Sequence, residues 1–530
     1  MEQNAANYII KGKAVLGIEF GSSRIKAVLL GADRQPIASG IYDWENDFID
    51  GVWTYSLEDA MVGLSGCYAD LARNVQEKYG AVITSLSAIG ISGMMHGYLP
   101  FDKDGRQLAP FRTWRNTITQ DASEKLTALF DFNIPQRWSI AHLYQAMLNG
   151  ESHVKDISFL TTLAGYIHWR LTGKKAIGVN EASGMFPVDT SSCDYDKRML
   201  GLFDKLAADL GMEWKVGELL PEIIPAGRTA GTLTEEGARL LDPSGTLQAG
   251  IPLCAPEGDA GTGMIATNSI APGTGNLSAG TSIFVTITMD QALSRLHPEI
   301  DVLANPAGHP AAMVHCINGT PEIDAWINLF GDVTASLGQP ADKNKLYEAF
   351  YTAALKGSED CGGLTAFNFL AGEHIIDLPE GRPMLIRRPD SEFSFANLAR
   401  VILFSTLGSV RIGMNILTQQ EGVLLKELLG HGGLYKTTDA GQRITAAALN
   451  VPVRIRSGAS EGGAWGIALL AAYMQDNNGE SLVDYLNGGV FAADQSTLAK
   501  PDAQLAASFN SYMERYGAGL SAQRAAIEHL

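Results

Sequence analysis

Two glycine-containing hairpins, far apart in the chain, constrain the fold more than any other feature of the sequence. Residues 14–30 and residues 275–288 each consist of an apolar strand, a tight turn of glycine and small hydroxyl residues, and a second apolar strand. Such a turn exposes main-chain N–H groups and hydroxyls without a bulky side chain, so each hairpin is a candidate phosphate cradle. Two of them in separate halves of one chain predict two lobes that close on the phosphates of one nucleotide, ATP.

The chain is too long for a single hydrophobic core. Its 530 residues predict two or more domains, and its mixture of strand-like and helix-like runs indicates an α/β protein. Ser56, followed by Glu58 and Asp59, is a candidate cap at the start of a helix, and residues 82–93 have the pattern of a buried strand that runs into a loop. The net charge of −18 argues against non-specific binding to nucleic acid or to an anionic membrane. We find no apolar run of about 18 residues, no signal-peptide pattern and no CxxC spacing, so we expect a cytoplasmic protein without a zinc site. The sequence leaves a homodimer open.

An acidic residue, Glu19, stands on the first strand two residues before Gly21. A carboxylate beside a phosphate loop can hold Mg²⁺, usually through water. The alternative is a strand-end acid that is solvated or paired. The presence of the second hairpin favours the metal site.

A second acidic residue, Asp259, follows an apolar strand and precedes small residues that leave room for a ligand. Phosphoryl transfer to a hydroxyl needs a carboxylate that orients the nucleophile and accepts its proton. An Asp at such a place more often caps the following helix. The local sequence therefore leaves both roles open.

Two short segments have residue types that suit a sugar. His96 follows Met95 at the end of a buried strand and could bond to a polyol hydroxyl, with a core histidine as the alternative. Trp114 and Arg115 combine an aromatic face with polar groups, although a packing tryptophan with surface neighbours gives the same pattern.

Two glycine-rich segments, residues 430–433 and 457–466, could wall an adenine pocket, because glycine lets the main chain approach a flat base. Two ordinary strand-to-helix turns would have the same composition. The chain lacks a GxGxxG fingerprint with a downstream acid and a GxxxxGK[ST] loop, which argues against a dinucleotide-binding fold and a P-loop NTPase.

Taken in order, these motifs resemble the FGGY carbohydrate kinases from Gly17 to about residue 472. The first phosphate motif, the motif of the catalytic Asp, the second phosphate motif and the adenosine motif of that family are similar to residues 17–23, 258–260, 277–282 and 430–433. Within the family, residues 95–97 are most similar to the substrate motif of xylulokinases.

The resemblance implies a two-lobed, actin-like (ribonuclease H-like) ATPase fold with a cleft between the domains. We expect residues 1–262 to form the lobe with the sugar site and the first phosphate motif. Residues 263–475 should form the lobe with the second phosphate motif and the adenosine pocket, and residues 476–530 a helical tail.

The resemblance also implies the roles of single residues in an ATP- and Mg²⁺-dependent sugar kinase. Asp259 would deprotonate a sugar hydroxyl and Glu19 would lie at the metal site. Met95 and His96 would line the sugar pocket, with Trp114 and Arg115 as further candidates. The expected ATP-binding residues are Gly21, Ser22, Ser23, Gly280, Thr281, Ser282, Gly430, Gly432 and Gly433.

Two departures from the family pattern affect the predicted substrate. Glu19 stands where the family usually has Asp, and Arg115 stands where xylulokinases tend to have a small polar residue. The favoured substrate is a ketopentose such as xylulose or ribulose. Other ketoses, polyols and gluconate-like sugar acids stay open, because Arg115 would suit an anionic substrate. The alternatives from other classes are an actin-like ATPase driven by a protein partner and a sugar-binding regulator without chemistry.

Overall fold

The structure, a computed structural model, describes residues 2–435, 439–456, 462–492 and 495–530. The chain divides into two compact units. The first comprises Met1–Ile270, Val302–Pro310 and Gly458–Ala493, and the second comprises Ala271–Asp301, Ala311–Ser457 and Asp494–Leu530. Each unit contains a mixed sheet with helices, as the α/β prediction required. These boundaries differ from the expected limits at residues 262 and 475, because the helix that begins at Gly462 contacts strands of the first unit.

The first unit is built on short strands and on helices of very different lengths. Its strands are β1 (Val15–Phe20), β2 (Arg24–Leu30), β3 (Pro36–Asp43), β4 (Asp47–Ile49), β5 (Val52–Thr54), β6 (Ala88–Gly93), β7 (Leu99–Phe101), β8 (Phe159–Thr161), β9 (Ala176–Ile177), β10 (Val188–Asp189), β11 (Asp194–Tyr195), β12 (Glu222–Ile223), β13 (Thr229–Thr232), β14 (Pro252–Cys254) and β15 (Glu257–Gly258). Its helices are α1 (Glu2–Ile10), α2 (Leu57–Tyr79), α3 (Gln120–Phe130), α4 (Ser139–Leu148), α5 (Leu163–Thr172), α6 (Val179–Ser183), α7 (Lys197–Asp209), α8 (Val216–Leu219), α9 (Glu235–Leu241), α10 (Asp259–Thr267), α15 (Gly462–Asp476) and α16 (Leu482–Tyr485).

The second unit has fewer strands and longer helices. Its strands are β16 (Thr274–Ala279), β17 (Ile283–Thr288), β19 (Pro310–Cys316), β20 (Leu364–Phe367), β21 (Met384–Arg387), β22 (Glu427–Gly432), β23 (Val453–Arg456) and β24 (Ser496–Ala499). Strand β18 (Asp301–Ala304) lies where the chain passes from one unit to the other. The helices are α11 (Pro321–Ser336), α12 (Lys343–Ala354), α13 (Phe395–Asn415), α14 (Asp439–Leu449) and α17 (Ala503–His529).

The two sheets repeat one plan. Six strands of the first sheet follow the order β13-β14-β6-β1-β2-β3, with β15 also paired to β6, and six strands of the second follow the order β24-β23-β22-β16-β17-β19. In each, the first strand of a glycine hairpin pairs antiparallel with its partner on one side and parallel with a crossover strand on the other. The hairpins predicted from the sequence are β1–β2 and β16–β17, so the internal repeat is confirmed.

Three parallel strand ends meet at one edge of the first sheet. Strand β6 pairs in parallel with both β1 and β15, so that Ser92 is level with Glu19 on one side and Glu257 on the other. One residue further along, Gly93 is level with Phe20 and Gly258. Ligand sites of open α/β sheets lie at the carboxyl ends of such strands. From this edge, β1 continues into the first glycine turn, β6 into the loop that begins at residue 94, and β15 into helix α10.

Helix α15 lies unusually close to this edge because two glycines permit it. A methyl group on Gly17 of β1 would lie 2.2 Å from the Ala464 carbonyl oxygen, and one on Gly466 would lie 2.0 Å from the Thr262 carbonyl oxygen. Neither distance is compatible with a side chain. Glycine at both positions therefore lets α15 contact the main chains of β1 and α10 directly.

The predicted start of helix α2 is confirmed, whereas the strand predicted for residues 82–93 is too long. Ser56 accepts N–H bonds from Glu58 (3.1 Å) and Asp59 (3.3 Å), as a cap residue does. The strand begins only at Ala88, which is level with Val15, the first residue of β1. A strand needs a neighbour, and β1 offers none before that residue.

One helical segment among the described residues, Phe395–Gln420, has the length and composition of a membrane span, and 78% of its most apolar stretch is buried inside the protein. Core helices of globular proteins have the same composition, so this feature alone is weak evidence for a membrane. The segment includes α13, whose buried face contacts α12, β20 and α14.

We predict that Gly466→Ala destabilises the protein although alanine is the better helix former. The added methyl group would overlap the Thr262 carbonyl, so we expect the free energy of unfolding to fall by about 3 kcal/mol. Gly201→Ala, in helix α7, is the matched control. Nothing lies within 4 Å of its added methyl, so it should stabilise by up to about 1 kcal/mol. Thermal or urea unfolding measures both, and equal effects would contradict the close approach of α15.

Candidate functional site

The first glycine turn is held from behind by two buried aromatic residues. The Trp44 indole N–H donates to the Gly21 carbonyl (2.8 Å), and its main-chain N–H donates to Ser23 (3.2 Å). The Tyr55 hydroxyl donates to the Ser22 carbonyl (2.5 Å), and its ring stacks on Trp44 at 4.3 Å. Because the three carbonyls are bonded on one side, the shape of the turn is fixed before any ligand arrives.

The second glycine turn adjoins the predicted adenosine motif within the second unit. Ala279, the last residue of β16, is level with Gly432 at the end of β22. A methyl group on Gly432 would lie 2.3 Å from the Ala279 carbonyl oxygen, and φ is +102° there, so glycine is required on both grounds. Gly433 then opens a short 3₁₀ turn. The structure thus brings residues 430–433 next to the turn at Gly280.

The other glycine-rich segment predicted to wall an adenine pocket spans residues 457–466. Residues 457–461 lie outside the described residues. The remainder, from Gly462 onwards, forms the first turn of α15 in the first unit.

Asp259 is the first residue of α10, at the edge where the three strands end. Gly258 occupies the cap position, and no side chain caps the helix there. The Asp259 Oδ1 accepts the N–H groups of Ala260 (2.9 Å) and Met95 (3.3 Å). Among the described residues, none donates a hydrogen bond to the Asp259 Oδ2. The side chain is exposed. Its contacts therefore fix the carboxylate while leaving an oxygen accessible.

The negative charge of Asp259 acts on Glu19. Glu19 is half-buried, and its Oε2 accepts the Ala464 N–H at 3.1 Å. Burial, and then the negative charge of Asp259, raise the pKa of Glu19 to about 7. Desolvation by the surrounding protein raises the pKa of Asp259 to about 6, although main-chain N–H bonds, among them those of Met95 and Ala260, oppose the increase and the side chain keeps some access to water. A cation between the two groups would relieve both effects.

Met95 and His96 follow β6 and are both buried. His96 has a left-handed backbone, with φ at +70°, and its Nδ1 donates to the Gly184 carbonyl at 3.0 Å. In the neutral ring Nε2 is then the acceptor. A methyl group on Gly258 would lie 2.2 Å from the Met95 Cγ. Met95 is therefore a neighbour of Asp259, and His96 follows Met95 in the chain.

Trp114 and Arg115 make contacts that the sequence did not indicate. The Trp114 indole N–H donates to the Ser22 hydroxyl at 3.3 Å, which attaches it to the first glycine turn. The Arg115 guanidinium lies 4.1 Å above the Trp53 ring and donates to Asn46 at 3.3 Å. Their role in sugar binding stays a prediction.

Helix α6 supports the site and was not singled out by the sequence. The Asn180 Oδ1 accepts the Gly261 N–H in α10 (2.9 Å), and Glu257 accepts the Glu181 N–H (2.9 Å). Gly184, just beyond the helix, accepts the bond from His96. Burial raises the pKa of Glu257 to about 8. No local pattern predicts these contacts, because their partners are about 80 residues apart in the chain.

The chemistry of this edge fits Mg²⁺. Glu19 and Asp259 supply carboxylate oxygens, which are hard ligands of the kind that this ion prefers. No cluster of three or more His, Cys, Asp or Glu side chains that could hold a metal occurs in the described part of the chain. Mg²⁺ commonly keeps several waters and is bound by one or two carboxylates with substrate phosphates, so a pair of acids is sufficient.

Solved structures of two carbohydrate kinases have the same fold as this chain. Xylulose kinase from Rhodospirillum rubrum aligns with a TM-score of 0.78 at 18% identity, over 96% of this chain and 99% of that chain. Gluconate kinase from Lactobacillus acidophilus aligns with a TM-score of 0.77 at 17% identity, over 96% and 98%. The fold is therefore the actin-like ATPase fold that the motifs predicted.

The sequence also matches a family directly. Residues 14–266 match the N-terminal domain, and residues 275–475 the C-terminal domain, of the FGGY family of carbohydrate kinases. A xylulose kinase from Haemophilus influenzae is 24% identical over 446 residues, which are 82% of this chain and 84% of that protein. The chain belongs to the FGGY family and is an ATP-dependent carbohydrate kinase.

We predict that Glu19→Gln stabilises the protein increasingly as the pH rises. The folded-state pKa of Glu19, about 7, lies above its ordinary value of 4.5, so ionisation disfavours the folded state. The stability of the protonated group is fully present below pH 4.5 and is lost as the pH rises through 7. Without metal or nucleotide, the variant should gain up to about 3 kcal/mol over wild type between acid and alkaline pH. A difference independent of pH would refute this electrostatic account.

Proposed function

We propose that this carbohydrate kinase phosphorylates a ketose, with a ketopentose such as xylulose or ribulose as the favoured substrate. Asp259 is the proposed base, Met95 and His96 the proposed sugar-binding residues. Phosphates bind to the two glycine turns, residues 21–23 and 280–282, and the adenosine binds to residues 430–433.

The position of Asp259 is the observation that carries this proposal. Its carboxylate lies at the carboxyl ends of β1, β6 and β15, is held through Oδ1 by the Met95 N–H, and keeps Oδ2 available. A proton acceptor needs an accessible oxygen and a fixed direction, and this group has both. His96, the next residue after Met95, adds a polar ring for a hydroxyl of the sugar.

The reaction proceeds by transfer of a proton and of a phosphoryl group. Asp259 takes the proton of a sugar hydroxyl as that oxygen bonds to the γ-phosphorus of ATP, and the bond from the γ-phosphorus to the bridging oxygen breaks to release ADP. The main-chain N–H groups of the glycine turns stabilise the charge on the phosphate oxygens. Mg²⁺, held at Glu19 through water, would neutralise part of that charge.

Two features support a neutral ketose over a sugar acid. One relative that matches over most of the chain, the protein from Haemophilus influenzae, is a xylulose kinase. In addition, the Arg115 guanidinium, the one group that suggested an anionic substrate, is engaged by Trp53 and Asn46. A gluconate-like acid is the second candidate, because gluconate kinase has almost the same TM-score as xylulose kinase. Family membership favours either over an ATPase driven by a protein partner.

A substrate panel tests the proposal. ADP release from Mg-ATP should be measured against ketopentoses, ketohexoses, polyols and aldonates, with the phosphorylated product identified by mass spectrometry. We expect the largest kcat/KM for a ketopentose. A larger kcat/KM for an aldonate would make the sugar acid the substrate. ATP hydrolysis that is indifferent to every sugar would contradict the proposed chemistry.

We predict that Asp259→Asn keeps ATP binding and loses phosphoryl transfer, because an amide cannot accept the proton. We expect kcat to fall by about a thousandfold, with the dissociation constant for ATP changed little in calorimetry. Asp242→Asn is the matched control. Asp242 is a buried Asp that bonds Ser244, Thr246 and Leu247 in a turn of the first unit. Near-normal turnover of Asp259→Asn would remove Asp259 as the base.

We predict that His96→Ala raises the KM for the sugar about tenfold or more and changes the KM for ATP little. His168→Ala is the control, since His168 is also a buried histidine of the first unit that donates to a main-chain carbonyl, that of Ala230. It should lower stability without affecting the two KM values differently. Equal effects of His96→Ala on both substrates would indicate a structural role only.

A further inference from the structure

The second glycine turn is held by a segment that follows β19. The Gly319 N–H donates to the Thr281 carbonyl at 2.8 Å. Thr320 donates twice to the Gly280 carbonyl, from its main-chain N–H at 2.9 Å and from its hydroxyl at 3.1 Å. The carbonyls of the turn are thus bonded on one side, which is the arrangement that Trp44 and Tyr55 produce in the first turn.

The contact between the two segments leaves no space for a side chain. A methyl group on Gly319 would lie 2.2 Å from the Gly280 carbonyl oxygen and 2.7 Å from that of Thr281. Any displacement of the chain at Gly319 would therefore displace the turn. The position of the turn depends on whatever fixes residues 317–320.

The buried carboxylate of Glu373 holds the beginning of this segment, Ile317 and Asn318, in place. The side chain of Glu373 is fully buried and accepts the N–H groups of Ile317 (3.4 Å) and Asn318 (3.3 Å) together with the Asn318 side-chain amide (3.2 Å). Burial raises the pKa of Glu373, and these bonds oppose the increase. Hydrogen bonds to a carboxylate are among the stronger ones in proteins.

Further bonds join Asn318 to the chain that leads to Glu373. The Asn318 Oδ1 accepts the N–H groups of Leu370 (2.8 Å) and Ala371 (2.9 Å). The Asn368 side chain donates to the main-chain carbonyl of Asn318 at 2.9 Å. Residues 317–320 are consequently fixed along their length by residues 368–373.

We propose that Glu373 is a positioning residue for the nucleotide phosphates. It contacts no reacting atom and acts through Asn318 and Gly319 on the turn at Gly280. The inference rests on the proposed phosphate role of residues 280–282. Donors aimed at phosphate oxygens are effective only if they are fixed before binding, because otherwise ATP must order them. Glu373 fixes these donors before ATP binds, because it holds Asn318, which precedes the Gly319 that contacts the turn.

The test is Glu373→Gln, which keeps the size of the side chain and removes its charge. We expect the KM and the dissociation constant for ATP to rise about tenfold, while the KM for the sugar at saturating ATP stays the same. The control is Glu421→Gln. Glu421 is also a buried carboxylate of the second unit, but it holds Ser294 and His297, at 2.6 Å each. It should leave ATP affinity unchanged, and a folded Glu373→Gln with normal ATP affinity would overturn the inference.

Thr320→Val provides an independent variant if Glu373→Gln does not fold. It keeps the shape of Thr320 and removes only the hydroxyl bond to Gly280. We expect a smaller rise in the KM for ATP, of about threefold, again without an effect on the sugar. An unchanged KM for ATP in this variant would contradict the inference as well.

Gly280→Ala separates this inference from the proposed function. The nearest protein atom to its added methyl, the Ser282 carbonyl oxygen, is 3.9 Å away, so the protein accommodates the change. If this variant binds ATP more weakly, the added methyl group interferes with the phosphates rather than with the protein. If Gly280→Ala binds ATP normally, the phosphate role of the turn fails. If Gly280→Ala weakens ATP and Glu373→Gln does not, only the role of Glu373 fails.

Discussion

The close contact of α15 with β1 and α10 is the constraint on which the site in the first unit depends. Gly17 and Gly466 remove the side chains that would separate these elements, so main chain lies against main chain. In that position the Ala464 N–H reaches Glu19, and α10 begins beside the ends of β1 and β6. A larger residue at either glycine would displace the two acids relative to each other.

Both glycine turns are held by hydrogen bonds to their main-chain carbonyls, but different residues donate these bonds in the two units. In the first unit Trp44 and Tyr55 bond the carbonyls of the turn, and in the second Gly319 and Thr320 do so. In both cases the carbonyls are bonded to the protein, and the turn is ordered in advance. The repeated strand order of the two sheets explains why both turns occupy equivalent places in their units.

The sequence predicted the parts of the structure that have a local signal. Both hairpins and the cap at Ser56 are confirmed, because alternating apolar residues, glycine turns and a capping serine act over a few residues. The strand ahead of Ala88 was predicted too long, since its length depends on β1. The supports of the site, such as Asn180 under α10 or Glu373 under Asn318, are separated from their partners by about 50 to 80 residues, and no pattern in one sequence links them.

The central claim is that Asp259 accepts the proton of the sugar, and the pH dependence of kcat/KM for the sugar tests it most directly. The base must be ionised to act, and its pKa is raised to about 6. The account predicts that kcat/KM falls about tenfold for each pH unit below that value, while ATP binding does not follow the same curve. A kcat/KM that stays constant through this range would contradict it.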